Sequence, residues 1–449
     1  MDKIYLDKNE ELTSTKLSKI IRYHQQHVLP VLKENRGYYD GTGQAINTRV
    51  YDDPSKPNNR IVKNYCKSIV ENYRGYICGV PITYSNDDNA EVLSRLLKEN
   101  DVINSDSEWL KNALIYGYAP QLCYINEKQE YKFRNILPEQ VIPIYSADLD
   151  EELLYCIYYY PIVNWDDDAW SERYSINLYD KDNIYHYEAD SSISSITIST
   201  QEVEPHYFGE VPFSIFYLTD DAESIFSCII SLQDAYNKLV SDSVNDWESF
   251  VDAYMVLKNI TADADDIAAM KENRILMLDD DADAAYLTKS STDTQVLSLL
   301  EEINTAIHTI SCSPDFNSAE FNGGVSSGVA IQYKLVGFNN LASNIEAQFR
   351  KALTKRFDLL NNVFALLDSD TYAVDITFTH NLPADTTAIA DNITKLRGLV
   401  SDRTLLSQVP FVHDVNAELE YLEEQNSLTD LYDFNELKHV SGDSDGEEE

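Results

Sequence analysis

The chain is 449 residues long and 43% hydrophobic, which is enough for two or three domains with buried cores. It carries 76 Asp and Glu residues against 35 Lys and Arg residues, a formal net charge of −41. This balance argues against a protein that holds nucleic acid or an anionic membrane tightly, because both need concentrated positive charge.

The first 116 residues are predicted to be mainly helical. Thr13 caps a helix whose apolar positions recur in steps of three and four, at Leu17, Ile20, Ile21, His24, Val28 and Leu32. A loop rich in glycine and proline covers Gly37–Pro57. Further helices are predicted over Arg60–Ile77, Ala90–Asn100 and Ser105–Tyr116, and Gly117 ends the last of them.

From Gln121 to Ser199 the pattern changes to strands rich in tyrosine and β-branched residues. Examples are Gln121–Ile125, Tyr131–Ile136, Leu153–Tyr160 and Ser191–Ser199. Helices followed by a run of strands predict an α+β, helix-rich fold whose body contains an antiparallel sheet.

The segment Ser227–Asp358 holds the most informative order of elements: helix, small β module, helix, glycine loop, long helix. The first helix is amphipathic over Ile229–Tyr254, and the second begins at a capping box, Thr292-x-x-Gln295, and continues to Ile310. Short β-like runs lie between the two helices, at Ala253–Lys258, Arg274–Leu278 and Ala285–Thr288. A helix pair with a β module at its far end suits a projecting stalk better than a closed pocket.

A glycine-rich loop, Asn322–Gly328, leads into a long predicted helix. Residues 329–367 contain no proline and only one glycine, Gly337, so a straight helix there would span about 58 Å. A strand is predicted at Tyr372–Thr379, and Pro383–Leu437 is predicted to be helical again. The acidic tail, residues 442–449, has no base and no apolar residue, so we expect it to be disordered.

The run Leu232–Lys238, with Ser241-Asp242 and Asn245-Asp246, resembles the stem helix of portal proteins from siphophage-type tailed bacteriophages. Four further stretches resemble that family in the same order along the chain. They are Asn58–Tyr84, Phe208–Phe213, Ser326–Leu335 and Asn381–Asp385 with the later Val400-Ser401 and Thr404-Leu405. Each motif alone has low specificity, but the ordered set spans nearly the whole chain.

The resemblance implies the portal fold, assembled as a ring around an axial channel. The wing would be residues 1–226 with the long helix and return strand at 329–381. The stem helices would be 227–253 and 292–311, joined through a clip at 254–291. The tunnel loop would be 312–328, and the crown would be 382–449 with its acidic tail.

The resemblance also implies roles for individual residues. The channel-lining positions of the tunnel loop would be Asp315, Phe316, Asn317, Ser318, Glu320, Asn322, Gly323 and Gly324. Partner proteins would dock on the clip at Asp279, Asp280, Asp281 and Asp283. The stem would pack through Tyr236, Trp247 and Phe250. An ordinary surface connector is the alternative interpretation of the loop.

A portal protein forms a ring of twelve subunits at one capsid vertex, through which double-stranded DNA passes during packaging and ejection without sequence-specific binding. The implied partners are other copies of the chain, the large terminase subunit, a head-completion adaptor, and the major capsid and scaffolding proteins. The implied location is the virion, reached by assembly in the host cytoplasm. No cofactor and no membrane are implied.

No sequence motif indicates catalysis or a metal site. There is no P-loop, and Asp279, Asp281 and Asp283 imitate a calcium loop whose turn glycine is replaced by Ala284. His24 and His27 share a helix face but have no third ligand nearby. The six cysteines form no C-x-x-C pair and are predicted to be small buried side chains. No signal peptide is visible, and the most apolar run, Leu153–Val163, is too short to span a membrane.

Two other classes of function remain open from sequence. A helical structural or scaffold protein without a DNA channel would share this composition and need not form closed rings. An enzyme with a dispersed site would leave no motif in the sequence. The shape of the purified particle distinguishes them, because only the portal forms rings with a central hole.

Overall fold

The fold comes from a computed structural model. It describes residues 3–8, 10–54, 56–86, 90–165, 170–190, 193, 196–198, 203–250, 254–258, 283–287, 293–316, 318, 333–366, 373–380, 391, 393–406, 409, 412, 415 and 418–425. The helices are α1 Ser14–Tyr23, α2 Leu29–Asp40, α3 Tyr65–Cys78, α4 Ala90–Glu99, α5 Val102–Tyr116, α6 Ile230–Phe250, α7 Asp293–Ile310, α8 Val336–Leu366 and α9 Asp402–Leu406.

The strands group into four sheets within the described residues. Their bounds are β1 Ile4–Leu6, β2 Thr83–Ser85, β3 Tyr118–Ile125, β4 Tyr131–Asn135, β5 Val141–Ser146, β6 Leu153–Trp165, β7 Trp170–Tyr179, β8 Asn183–Asp190, β9 Ile196–Ile198, β10 Glu204–Pro205, β11 Phe213–Tyr217, β12 Tyr254–Lys258, β13 Asp283–Leu287 and β14 Asp375–Thr377. The predicted mixture of helix and antiparallel sheet is confirmed.

The largest sheet has the order β1-β5-β6-β7-β8-β10, and β9 also pairs with β8. All of these pairs are antiparallel except β1 with β5, which run parallel and align Ile4 with Ile144. Helix α1 covers one face, where Leu17 and Ile21 pack with Ile142 and other sheet residues. The sequence predicted an antiparallel sheet only, because a three-residue strand such as β1 leaves almost no periodic signal.

The N-terminal helix predicted from Thr13 is present. The Thr13 hydroxyl accepts a hydrogen bond from the Lys16 amide at 3.4 Å, and the helix continues through a π-helical turn at His24–Val28 into α2. His24 in this turn is buried, and its Nδ1 lies 2.9 Å from the Tyr159 hydroxyl of β6. The turn therefore fixes the helix against the large sheet.

A second core lies between α3, α5, α8 and the three-stranded sheet β11-β3-β4. Its centre is aromatic: Trp109, Phe216 and Phe349 are fully buried and in mutual ring contact. Gly117 joins α5 to β3 with φ 88°, and a Cβ there would lie 2.2 Å from the Ala222 carbonyl oxygen. Only glycine meets both conditions, which explains why α5 ends where the sequence predicted.

The long helix α8 crosses this core and anchors the return strand. Strand β14 pairs with β2 in antiparallel register, with Ile376 opposite Tyr84. Arg356 of α8 is fully buried and forms an ion pair with Asp106 of α5, at 2.6 Å between Nη1 and Oδ1. The predicted return of the chain from the long helix to the body is therefore observed at 375–377.

Three local predictions were wrong. The loop predicted over Gly37–Pro57 begins after Asp40, because α2 continues through Gly37 to Asp40. The helix predicted from Arg60 begins at Tyr65, and residues 59–64 belong to no helix or strand. The cysteines are not uniformly buried, since Cys228 is exposed and Cys78 and Cys312 are partly exposed. All described cysteines are free thiols.

Candidate functional site

Helices α6 and α7 pack side by side and meet the body at one end. Tyr236 of α6 and Ile303 and Ile307 of α7 are buried there. All three belong to the core that contains Trp109, Phe216 and Phe349, which we call the central core. These residues lie on the apolar stripes that the sequence predicted for the two helices. The half of the pair that includes the end of α6 and the start of α7 has no buried apolar residue among those described.

The polar side of α6 is held by the segment that precedes α3. We call residues 59–65 the strap and the four α6 residues that bind it the polar ladder; the ladder consists of Gln233, Asn237, Ser241 and Asn245. Each ladder side chain accepts a hydrogen bond from a strap backbone amide. The pairs are Tyr65 N to Gln233 Oε1 at 2.8 Å, Lys63 N to Asn237 Oδ1 at 2.9 Å, Ile61 N to Ser241 Oγ at 2.9 Å and Asn59 N to Asn245 Oδ1 at 2.8 Å.

The ladder works because two different repeats have nearly the same length. Four residues of α-helix rise about 6.0 Å, and two residues of extended chain advance about 6.6 Å. Every fourth residue of α6 therefore meets every second amide of the strap. All four ladder side chains are buried, so their hydrogen bonds replace water that these amides would otherwise bind.

Further contacts close both ends of the strap. At the outer end, the Asn59 side-chain amide donates to Glu248 Oε2 at 2.7 Å, and Arg49 Nη1 pairs with Asp242 Oδ1 at 2.5 Å. At the inner end, the Tyr65 hydroxyl donates to Asn304 Oδ1 of α7 at 2.5 Å. Burial raises the pKa of Tyr65 well above its usual value, so this hydroxyl stays protonated as a donor. The strap thus binds both helices of the pair.

Large apolar side chains are exposed on the outer half of the helix pair. Trp247 of α6 is 67% exposed, and Leu297 and Leu299 of α7 are 61% and 43% exposed. Tyr236, the other described residue predicted to pack the stem, is buried in the core, while the side chain of Phe250 lies outside the described residues. The apolar surface on this half is therefore not covered by the part of the chain that the structure describes.

Two strands follow the outer end of the pair. Strands β12 and β13 form an antiparallel ribbon in which Tyr254 lies opposite Leu287 and Lys258 opposite Asp283. Asp283 is the first residue of β13, and the predicted docking residues Asp279, Asp280 and Asp281 lie outside the described residues. The predicted strand at Arg274–Leu278 lies outside them as well.

The segment after α7 is fixed to the body where it begins. Ser313 is fully buried, its hydroxyl accepts from Asn72 Nδ2 at 3.0 Å, and its carbonyl oxygen lies 2.8 Å from His308 Nδ1. The Asp315 carboxylate lies 3.9 Å from His308 Nε2. Among the predicted loop residues, Asp315 is thus near α7, whereas Phe316 is 43% exposed.

The remaining loop positions are only partly described. Ser318 donates from its hydroxyl to the Asp315 carbonyl oxygen at 2.9 Å. Asn317, Glu320, Asn322, Gly323 and Gly324 lie outside the described residues. The chain is described again from Tyr333, and a Cβ placed on Gly337 would lie 3.7 Å from Cys312 Sγ. Both flanks of the glycine-rich segment therefore meet at one point on the body.

Two motifs that are far apart in sequence join at the polar ladder. Asn58–Tyr65 begins one motif of the resemblance, and Leu232–Asp246 is another, and the ladder bonds connect them residue by residue. The sequence analysis named Asn237 and Asn245 only as parts of a motif and did not predict that they are buried against the strap. The signal that would have identified them is the spacing of four between short polar side chains.

Comparison with known proteins gives the same assignment along most of the chain. The family model described as "Phage portal protein, SPP1 Gp6-like" matches residues 18–429. A portal protein of Bacillus phage SPP1 is 23% identical over 96% of this chain and 88% of its own length. A portal protein of Clostridium phage phiCD119 is also 23% identical, over 85% of this chain and 88% of its own length.

Within the described residues, no helix is both long and apolar enough to cross a lipid bilayer. Portal proteins are structural components of the capsid rather than enzymes. Because the family model covers most of the chain, this protein belongs to the bacteriophage portal protein family.

Proposed function

We propose that this chain forms a closed ring of twelve subunits at one capsid vertex and that double-stranded DNA passes through the axis of the ring. The observation that carries the proposal is the exposed apolar surface on the outer half of the α6–α7 pair, at Trp247, Leu297 and Leu299. The strap occupies one side of α6, and no described residue of this chain covers the apolar surface on the other side. In a heterologous ring, a neighbouring subunit covers this surface in every copy.

In this proposal the described elements map onto the family's regions. The large sheet, the aromatic core and α8 form the wing, α6 and α7 form the stem, and β12 and β13 belong to the clip. The crown begins after β14 and includes α9. The outer position of the β12–β13 ribbon relative to the helix pair supports its assignment as the docking region for the terminase and the head-completion adaptor.

The charge of the chain supports a channel through which DNA moves. Each lysine or arginine that contacts a phosphate releases counterions and adds affinity, and that affinity would have to be overcome at each step of translocation. A ring of subunits with a net charge of −41 each repels DNA instead. At physiological salt the repulsion decays over about 8 Å, so it centres the duplex without closing the channel to it.

The tunnel loop, residues 312–328, is proposed to line the narrowest part of the channel. The contact of Gly337 with Cys312 supports this role, because it places the start of α8 beside the end of α7. Cysteine substituted at Ser318 should then crosslink between neighbouring subunits, and Gly323→Ala with Gly324→Ala should preserve rings but impair DNA packaging. The channel role would be excluded if the cysteine at position 318 lay on the outer perimeter of the ring and the double alanine variant packaged DNA normally.

Electron microscopy of the purified protein tests the central claim. Negatively stained particles should be rings with a central hole, and native mass spectrometry should give one dominant subunit number. The alternative is a helical structural or scaffold protein, which would give monomers, open oligomers or filaments. Particles without closed rings at any protein concentration would favour that alternative.

A further inference from the structure

The polar ladder is more than a stabilising contact, because it connects the body to the surface that faces a neighbouring subunit. The strap runs directly into α3, and α3 begins at Tyr65 inside the central core. Asn64, the residue before α3, accepts from the Lys67 amide at 2.9 Å and donates to the Tyr39 carbonyl oxygen at 2.8 Å. The strap is therefore a rigid extension of the body.

The ladder and the exposed indole lie on opposite sides of α6. Successive residues of an α-helix are rotated by about 100°, so Trp247 points about 200° away from Asn245, the outermost ladder residue. Asn245 is held by the strap, and Trp247 is exposed. Any rotation or tilt of α6 that the ladder permits is passed on to the direction of Trp247.

We propose that the polar ladder sets the angle between neighbouring subunits and thereby the number of subunits in the ring. The inference rests on the proposed ring and names what selects its size. Gln233, Asn237, Ser241 and Asn245 are positioning residues, acting through the apolar surface of α6. The hydrogen bond between the Asn59 amide and Asn245, which we call the outermost rung, has the largest effect on this angle, because it is farthest from the body.

The magnitudes agree with this assignment. Neighbours are related by about 30° in a ring of twelve and by about 28° in a ring of thirteen. Helix α6 has 21 residues and is about 31 Å long, so a tilt of about 2° moves its outer end by about 1 Å. An amide hydrogen bond that is stretched by about 1 Å is lost. The outermost rung is thus sensitive to displacements of the size that separates one ring from the next.

The test is the subunit number of rings formed by Asn245→Leu, measured by native mass spectrometry and by the symmetry of particles in electron microscopy. Leucine has a similar size but cannot accept from the Asn59 amide. We expect closed rings whose number of subunits shifts or spreads over neighbouring values. Asn245→Asp keeps an oxygen acceptor and should retain the wild-type distribution, as should Lys238→Leu at an exposed position of the same helix.

Circular dichroism of each variant shows whether the subunit is folded. If Asn245→Leu yields no folded subunit, Ser241→Ala is used instead, because it removes the acceptor for the Ile61 amide. The subunit number of its rings is measured by the same two methods, and the same shift is expected. A wild-type distribution in the acceptor-less variant, or an equal shift in Lys238→Leu, overturns the inference while leaving the ring intact. Absence of closed rings in the wild-type protein instead refutes the proposed function, so the two failures are distinct.

Discussion

The guanidinium of Arg356 lies in a cage of aromatic rings at the centre of the body. Its carbon is 4.4 Å from the centroid of Phe133 and 5.0 Å from that of Phe357, and its Nη1 pairs with Asp106. The Tyr84 hydroxyl completes the cluster by accepting from Arg356 Nη2 at 3.1 Å and donating to Asp106. One charged pair therefore ties α8, α5 and β2 together.

Replacing Asp106 by Asn leaves the arginine charge buried without its counterion. We expect the free energy of unfolding, measured in urea, to fall by about 3–5 kcal/mol. The Lys8 Nζ atom lies 2.7 Å from Glu152 Oε2, but both side chains are about half exposed. Glu152→Gln should therefore change the free energy of unfolding by less than about 1 kcal/mol. Equal effects of the two substitutions would contradict the importance of burial.

His24 makes the stability of the subunit dependent on pH. Burial lowers the pKa of His24 from 6.5 to about 4, so the unfolded chain takes up a proton before the folded chain does. The stabilisation is complete above pH 6.5 and is lost as the pH falls towards 4, by about 3 kcal/mol in total.

The substitution His24→Gln should remove this dependence. Between pH 7 and pH 4, the wild-type protein is expected to lose about 3 kcal/mol more unfolding free energy than His24→Gln does. His27 is exposed on the next turn, so His27→Gln should keep the wild-type slope. Parallel stability curves for the wild type and His24→Gln would show that the buried imidazole is not responsible.

At the scale of single elements, α6 has a polar face that binds the strap and an apolar face that is exposed at Trp247. Its ladder binds the strap of the same chain, while Trp247 is exposed and faces a neighbouring subunit in the proposed ring. Trp247→Asp should therefore reduce ring formation, measured by analytical ultracentrifugation, with little change in the melting temperature of the subunit. Ala235→Asp introduces the same side chain at another exposed position of the helix and should leave ring formation unchanged. Normal rings in Trp247→Asp would refute this use of the apolar face.

Amphipathic periodicity predicted α6 and α7, because the buried apolar stripe repeats with the helical period. The absence of proline and the single glycine in residues 329–367 predicted most of α8. Periodicity could not predict that residues 59–64 would stay outside α3, since their conformation depends on side chains of α6 that are about 180 positions away. Long-range polar contacts leave no periodic signal in the strap itself.

The candidate site was predictable to a lesser extent than the fold. Tyr236 and Trp247 lie on one stripe in sequence, but only Tyr236 is covered by the body. Burial of a helix face depends on where the rest of the chain ends, which local periodicity does not contain. The resemblance predicted the family. The ladder was not predictable, because the contact of Asn59 with Asn245 joins residues 186 positions apart.

For the whole molecule, the proposed arrangement separates assembly from docking. In this proposal the apolar surface of the helix pair joins subunits, and the β12–β13 ribbon binds partner proteins. Substituting lysine at the clip aspartates should weaken binding of the large terminase subunit and of the head-completion adaptor, measured by biolayer interferometry, and leave rings intact. The substituted positions are Asp279, Asp280, Asp281 and Asp283.

A control with the same change in charge places lysine on the body. Suitable exposed positions are Asp52, Glu91, Asp150 and Asp220. The control rings should bind both partners as the wild type does, because the added charge is remote from the ribbon. Unchanged binding of both partners by the clip variant would remove the ribbon from the docking surface.

The meeting of Cys312 and Gly337 has a consequence for how the length of the chain between them can vary. Because Cys312 and Gly337 are fixed at one place, the length of the chain between them affects stability through the entropy of loop closure. The cost of closure grows with the logarithm of length, at about 0.6 kcal/mol for each doubling. Insertions and deletions between Cys312 and Gly337 should therefore have little effect on subunit stability. In the proposed ring, a change in the number of these residues would alter the width of the channel and leave the surrounding helices as they are.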